Sequence, residues 1–336
     1  MKLTPHLMLI LVLIVPSVCL GQVEEDEIQF DELIDLAQPR PDITNLFDFQ
    51  GDADSAVMGD WSVAARWPIV ALHAALLPDG DVLTYGTNEW GDPGSGFVYD
   101  RWRPSRGLAN DSHLTLDVET SNNLFCSAQM LIPGTGGLML VTGGSVEKNG
   151  RRNFGVKAVN VFDPINNTFF HPEDQMRKAR WYPTLTMLED GRVLAQGGRD
   201  ENRRPTTLPE VFDPVAGTWK ALTSADSDAA YKSGGWNYPR SFLSPNGDVL
   251  VMPTDQREIY YLDTSGRGSI REVRHLTVTP TPANLLAVQY DQRKILSIRG
   301  RDARRLTMTE TDHVHSANIS DSHTPVVGGR DLVGKW

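Results

Sequence analysis

Residues 161–169 read VFDPINNTF and residues 211–219 read VFDPVAGTW, one segment written twice at a shift of 50 residues. Val, Phe, Asp, Pro and Thr coincide, and both copies end in an aromatic ring. IYYLDTSG (259–266) and FVYD (97–100) keep the core of the same pattern. Self-similarity at such a period marks a chain that uses one supersecondary unit several times.

Upstream of each copy lies a second shared element, in which two apolar stretches flank a turn and usually end in a glycine pair. It reads HAALLPDGDVLTYG (73–86), SAQMLIPGTGGLMLVTGG (127–144), TLTMLEDGRVLAQGG (184–198), SFLSPNGDVLVMP (241–253) and, without the turn glycine, NLLAVQYDQRKILSIRG (284–300). Asp-Gly or Asn-Gly between apolar runs predicts a β-hairpin, because tight hairpin turns need positive φ. The turns at Asp79, Gly136, Asp190 and Asn246 are 57, 54 and 56 residues apart, which suits a kelch-type blade of about 50 residues. The fold class expected is therefore all-β, a kelch-type β-propeller of four-stranded antiparallel blades. The hairpin supplies the inner strands, the glycine pair permits close backbone approach, and Asp-Pro-x-x-x-Thr-aromatic closes the outer edge. After Gly300 the pattern dissolves, so about five blades are expected, in a ring that is not closed.

The N-terminus has the layout of a secretory signal: Lys2, an apolar run from Leu7 to Val15, then small residues to Gly21. The expected organisation is a signal peptide at 1–21, an acidic linker at 22–54, a partial propeller at 55–312 and an irregular or truncated blade segment at 313–336. The mature protein is then secreted or periplasmic, with no membrane association once the signal is removed. A net charge of −11 disfavours nucleic acid as a partner. Cys19 leaves with the signal, and Cys126 remains as a reactive thiol, an intermolecular bridge or an inert core residue.

The repeat narrows that choice. Aligned back from the glycine pair, CSAQML (126–131) falls on YPTLTML (182–188), so Cys126 and Tyr182 occupy nearly equivalent places in successive blades. Both come just before the innermost strand, near one mouth of the central channel, where a thiol and a phenol can meet. NYPRSFLSPNG (237–247) aligns with WYPTLTMLEDG (181–191) and nominates Tyr238 as well. Its blade is one further from Cys126, and it is expected to line the channel or to pack.

LFCSAQM (124–130) followed by ARWYPTLTMLEDGRVLAQGG (179–198) resembles the galactose oxidase and glyoxal oxidase family of copper radical oxidases, over roughly residues 55 to 300. The resemblance implies a thioether between Cys126 and Tyr182, with Tyr182 as copper ligand and radical. It implies copper as cofactor, seven blades in the complete ring, and oxidation of a primary alcohol or aldehyde by O2 to give H2O2. The family completes its copper site with a Tyr-His pair and a later His. This sequence has no Tyr-His pair, and His313, His315 and His323 stand in the wrong context. The chain is thus expected to carry the cross-link half of a site and to be inactive alone. Galactose oxidase also places a Trp shortly after the glycine pair of the Tyr blade, where GGRDENRRP (197–205) has Arg199 and no aromatic, a departure towards glyoxal oxidase-like members. The basic residues Arg177, Lys178, Arg180, Arg199, Arg203 and Arg204 read either as a solvated loop or as an attraction for a carboxylated substrate. Trp61, Trp67, Trp219 and Trp236 read as core or blade-edge rings. The alternative to an oxidase is a non-catalytic extracellular propeller that binds glycans or proteins.

Overall fold

The computed structural model describes residues 65–93, 98–254, 256, 258–275, 286–299, 302–308 and 314–318. The expected signal, the acidic linker, Trp61, His313 and His323 lie outside the described residues.

Five antiparallel sheets follow one another along these residues. The first contains β1 (Ala71–Leu76), β2 (Val82–Gly86), β3 (Val98–Trp102) and β4 (His113–Asp117). The second contains β5 (Asn123–Leu131), β6 (Met139–Lys148), β8 (Val159–Asp163) and β9 (Thr168–Phe170), with β7 (Arg151–Gly155) paired to β6. The third contains β10 (Trp181–Met187), β11 (Val193–Arg199), β12 (Glu210–Asp213) and β13 (Thr218–Ala221). The fourth runs through β14 (Arg240–Leu243), β15 (Val249–Met252), β16 (Glu258–Asp263) and β17 (Ser269–His275). The fifth comprises β18 (Leu286–Asp291), β19 (Lys294–Arg299), β20 (Asp302–Met308) and β21 (Val314–Asn318). Strand order equals chain order in every sheet apart from the added β7.

Each apolar pair with its turn forms the first hairpin of a sheet, as the turn chemistry dictates. The repeated Asp of the second element closes the outer hairpin for a local reason. Asp163 Oδ1 accepts from the backbone N–H groups of Ile165 and Asn166, and Asp213 Oδ1 from those of Val215 and Ala216. These are Asx turns, which hold the chain reversed before the Thr-aromatic strand begins.

Successive sheets share cores. Tyr85 and Leu83 of the first pack with Met139, Val141 and Phe162 of the second, and Leu140 and Val161 of the second with Val193 and Phe212 of the third. Leu194 packs with Val249 and Val251 of the fourth, and Leu250 and Tyr261 with Ile295 and Leu306 of the fifth. Both faces of the middle sheets are therefore buried, which explains why their strands are continuous apolar runs. First strands approach first strands: β1 lies by β5, β5 by β10 and β10 by β14. This is the blade packing of a β-propeller.

Three expectations change in detail. The second sheet has five strands, because the segment KNGRR (148–152) turns β6 back into β7. The fifth repeat does not dissolve after Gly300, since β20 and β21 complete its sheet, and the strand Val314–Asn318 falls in the segment expected to be irregular. Cys126 and Tyr182 stand within their first strands, not before them.

The β6–β7 ribbon reaches across to the third sheet. Gly155 N–H donates to the Asp200 carbonyl at 3.1 Å, Lys148 Nζ to the Glu201 carbonyl at 3.2 Å, and Val156 bridges Arg180.

Candidate functional site

The site lies where the glycine pairs meet the first strands. Gly144 N–H donates to the carbonyl of Arg180 at 3.1 Å, Gly198 N–H to that of Trp236 at 2.7 Å, and Tyr238 N–H to that of Tyr182 at 3.2 Å. A methyl on Gly143 would overlap the Arg180 carbonyl, and one on Gly197 would sit 2.7 Å from the Trp236 carbonyl. These close approaches make the glycines obligatory and bring the start of one first strand against the start of the next.

At that junction the backbone is left-handed at three non-glycine residues, Cys126 (φ 59°), Tyr182 (φ 69°) and Tyr238 (φ 43°). A side chain in this region costs about 1–3 kcal/mol and persists only where its surroundings enforce it. Around Cys126 the register of β5 against β6 shifts between Asn123 and Ser127, and such an irregularity re-aims a side chain out of the strand's alternation. The result is one buried cluster of Cys126, Trp181, Tyr182 and Trp236, with Phe125 and Tyr238 against it. Cys126 is fully buried and Tyr182 is 7% exposed. The thiol of the second sheet and the phenol of the third thus share one apolar pocket, as their alignment in the repeat anticipates.

Tyr182 is sandwiched by rings. The Trp181 ring stacks at 3.9 Å and 28°, the Trp236 ring lies nearly parallel at 6.1 Å, and Tyr238 tilts against it at 4.7 Å. The Arg199 guanidinium lies 4.0 Å over Trp236. Burial, then repulsion from Arg203, lower the pKa of Arg199, while Tyr182 opposes the shift.

Tyr238, at the entry of the sheet after that of Tyr182, packs against the cluster, and its hydroxyl donates to the carbonyl of Ser127 at 3.2 Å. One reading of the sequence is corrected here. The basic residues are not one solvated loop. Arg180 is wholly buried, donating to the carbonyls of Gly197 and Leu208 and pairing with Glu210 at 3.0 Å, whereas Arg177 pairs with Asp174 at the surface. Trp236, read as a core or blade-edge ring, is buried in this cluster beside Trp181 and Tyr182. Its sequence signal was its place two residues before Tyr238, an equivalent of Tyr182.

A second polar group lines the first strands of sheets one and two. His73 stacks on Tyr85 at 4.7 Å, and the Tyr85 hydroxyl donates to Gln129 Oε1 at 2.8 Å. Burial pulls the His73 imidazole down to about 4, against a hydrogen bond with Gln129 that raises it.

No protein-family model matches the chain. Among curated proteins, galactose oxidase of Gibberella zeae is 28% identical over 286 residues, covering 78% of this chain and 39% of that protein. The aldehyde oxidase GLOX of Vitis pseudoreticulata is 28% identical over 141 residues, covering 40% of this chain and 24% of that protein. The chain is thus similar to the galactose oxidase and glyoxal oxidase family. A solved structure of a fungal alcohol oxidase of the AA5 family, in complex with copper, superposes with a TM-score of 0.63 at 20% identity, over 78% of this chain and 56% of that one. That likeness supports the propeller fold. The chain spans about two fifths of the galactose oxidase it matches.

For this chain the fit of copper is decided by its ligands. Among the described residues no three His, Cys, Asp or Glu side chains converge on a metal position. Tyr182 is the one residue of the cluster that the family resemblance nominates as a ligand, and His315 stands on β21 of the fifth sheet, opposite Thr307. A copper centre needs several N or O ligands in fixed geometry. The described residues do not make one.

Proposed function

We propose that the chain is the propeller portion of a secreted copper radical oxidase that oxidises primary alcohols or aldehydes with O2, forming H2O2. Cys126 and Tyr182 are joined in it by a thioether, and Tyr182 carries the radical. The observation that carries this reading is the burial of Cys126 and Tyr182 in one cluster, both on left-handed backbone and on neighbouring first strands. Strain stored at two equivalent positions, one bearing a thiol and the other a phenol, is a feature of functional sites. The flanking Trp181 and Trp236 rings exclude water from the phenol.

Formation of the thioether removes the thiol hydrogen and one ring hydrogen ortho to the hydroxyl and makes a C–S bond. Its two electrons and two protons reduce O2 to H2O2. Mature chain, beginning after Cys19 and exposed to copper and air, becomes lighter by two hydrogens and resists alkylation at Cys126 after unfolding. Cys126→Ser and Tyr182→Phe keep their full mass. Persistence of an alkylatable Cys126 in the wild type after that treatment sinks the oxidase reading and leaves an exported propeller that binds partners. Residues 1–336 alone are expected to release no H2O2 from alcohols or aldehydes, since the described residues do not complete a copper centre.

A further inference from the structure

Beside the Tyr182 cluster stand two hydrogen-bond donors with no acceptor. The Nε of Arg199 and the Nε1 of Trp181 are both buried without a partner, and Trp181 is 7% exposed. Buried donors are ordinarily paired, so two left open at one place ask for an acceptor from outside the chain. The pair is also in register. Trp181 on β10 is directly opposite Arg199 on β11, and residues so opposed project from the same face of a sheet, with Cβ atoms about 5 Å apart. Arg199 then lies over Trp236, which stands 6.2 Å from Trp181 and 6.1 Å from Tyr182.

The charge is as incomplete as the hydrogen bonding. Among the described residues no carboxylate pairs with Arg199. The adjacent carboxylate, Asp200, accepts from the backbone N–H groups of Asn202 and Arg204, and Glu210 is held by Arg180. A second guanidinium, Arg203, itself placed 5.8 Å over Phe154, acts on Arg199 as a like charge. A half-buried cation with a like neighbour and an open Nε–H favours a planar anion, and a guanidinium edge matches a carboxylate.

We infer that Arg199, with the indole N–H of Trp181, forms a carboxylate-binding subsite beside Tyr182, and that the substrate is an alcohol or aldehyde that also bears a carboxylate. The naming of this anion as substrate rests on the oxidase reading; its binding does not. The small acid docks its carboxylate on Arg199, leaving its hydroxyl or hydrated carbonyl directed towards the phenol.

The test uses the mature chain, with glycolate as probe and glycolamide as its neutral isostere, followed through tryptophan fluorescence. Glycolate is expected to bind saturably and at least about tenfold more tightly than glycolamide. Arg199→Gln abolishes that preference, Arg199→Lys keeps part of it, and Arg152→Gln, which alters an exposed pair with Asp92, leaves it intact. Equal affinity for the two probes in the wild type, or an undiminished preference in Arg199→Gln, overturns the subsite. The mass of the same sample reads the thioether separately. A cross-linked protein indifferent to glycolate removes the subsite alone, whereas glycolate preference without cross-linking upholds the subsite and removes the oxidase.

Discussion

Gly191, in the turn between β10 and β11, and Gly143, on β6, both have positive φ, +83° and +73°. A methyl group added to Gly191 meets open space, whereas on Gly143 it overlaps the carbonyl of Arg180 in the neighbouring sheet. The turn end needs glycine for its own dihedral angles. The opposite end needs it because another sheet is already there, and that is the end where Cys126, Tyr182 and Tyr238 stand. The cluster of Cys126 and Tyr182 thus lies where the sheets lock together, and on the oxidase reading proposed above that placement suits two side chains joined across a sheet boundary.

Substitutions sharpen the contrast. Arg180→Met should have the largest effect, about 4 kcal/mol by denaturant titration, because Glu210 is left buried without its counter-charge. Gly143→Ala should cost about 3 kcal/mol, combining left-handed strain with backbone overlap. Next comes pH. The folded pKa of His73 is depressed to about 4, so the unfolded chain binds the extra proton first. The stability from keeping this imidazole neutral is present above about pH 6.5 and is lost as pH falls towards 4. About 2 kcal/mol should disappear between pH 7 and 5, and His73→Phe, which keeps the ring stack on Tyr85, should flatten that slope. Gly191→Ala should be the mildest, about 1 kcal/mol. A Gly143→Ala variant as stable as Gly191→Ala would break the comparison.

What could be read from the sequence followed from local chemistry. Asp-Gly turns and Asp side chains that cap their own hairpins act within a few residues, so the hairpins and their period were legible. The meeting of Cys126 with Tyr182 was legible too, since equivalent positions in adjacent repeats become neighbours. Tyr238 was nominated by the same alignment, but its hydrogen bond to Ser127 was not legible, because it joins the fourth sheet to the second, which are not adjacent repeats. Arg180 looked like one more surface cation, since its partner Glu210 is 30 residues away. The extra strand β7 hid in a stretch of Lys, Asn, Gly and Arg whose pairing is set by an adjoining strand and not by its own apolar pattern.

That ribbon of β6 and β7 has a consequence for how such a protein can diversify. It belongs to the second sheet yet grips the loop that follows Arg199 in the third, through Gly155, Lys148 and Phe154. Lengthening or shortening it would re-aim a guanidinium on another sheet while leaving every shared core untouched. On the carboxylate subsite inferred above, selectivity would thereby be adjustable from an appendage, a detachable dial beside the site.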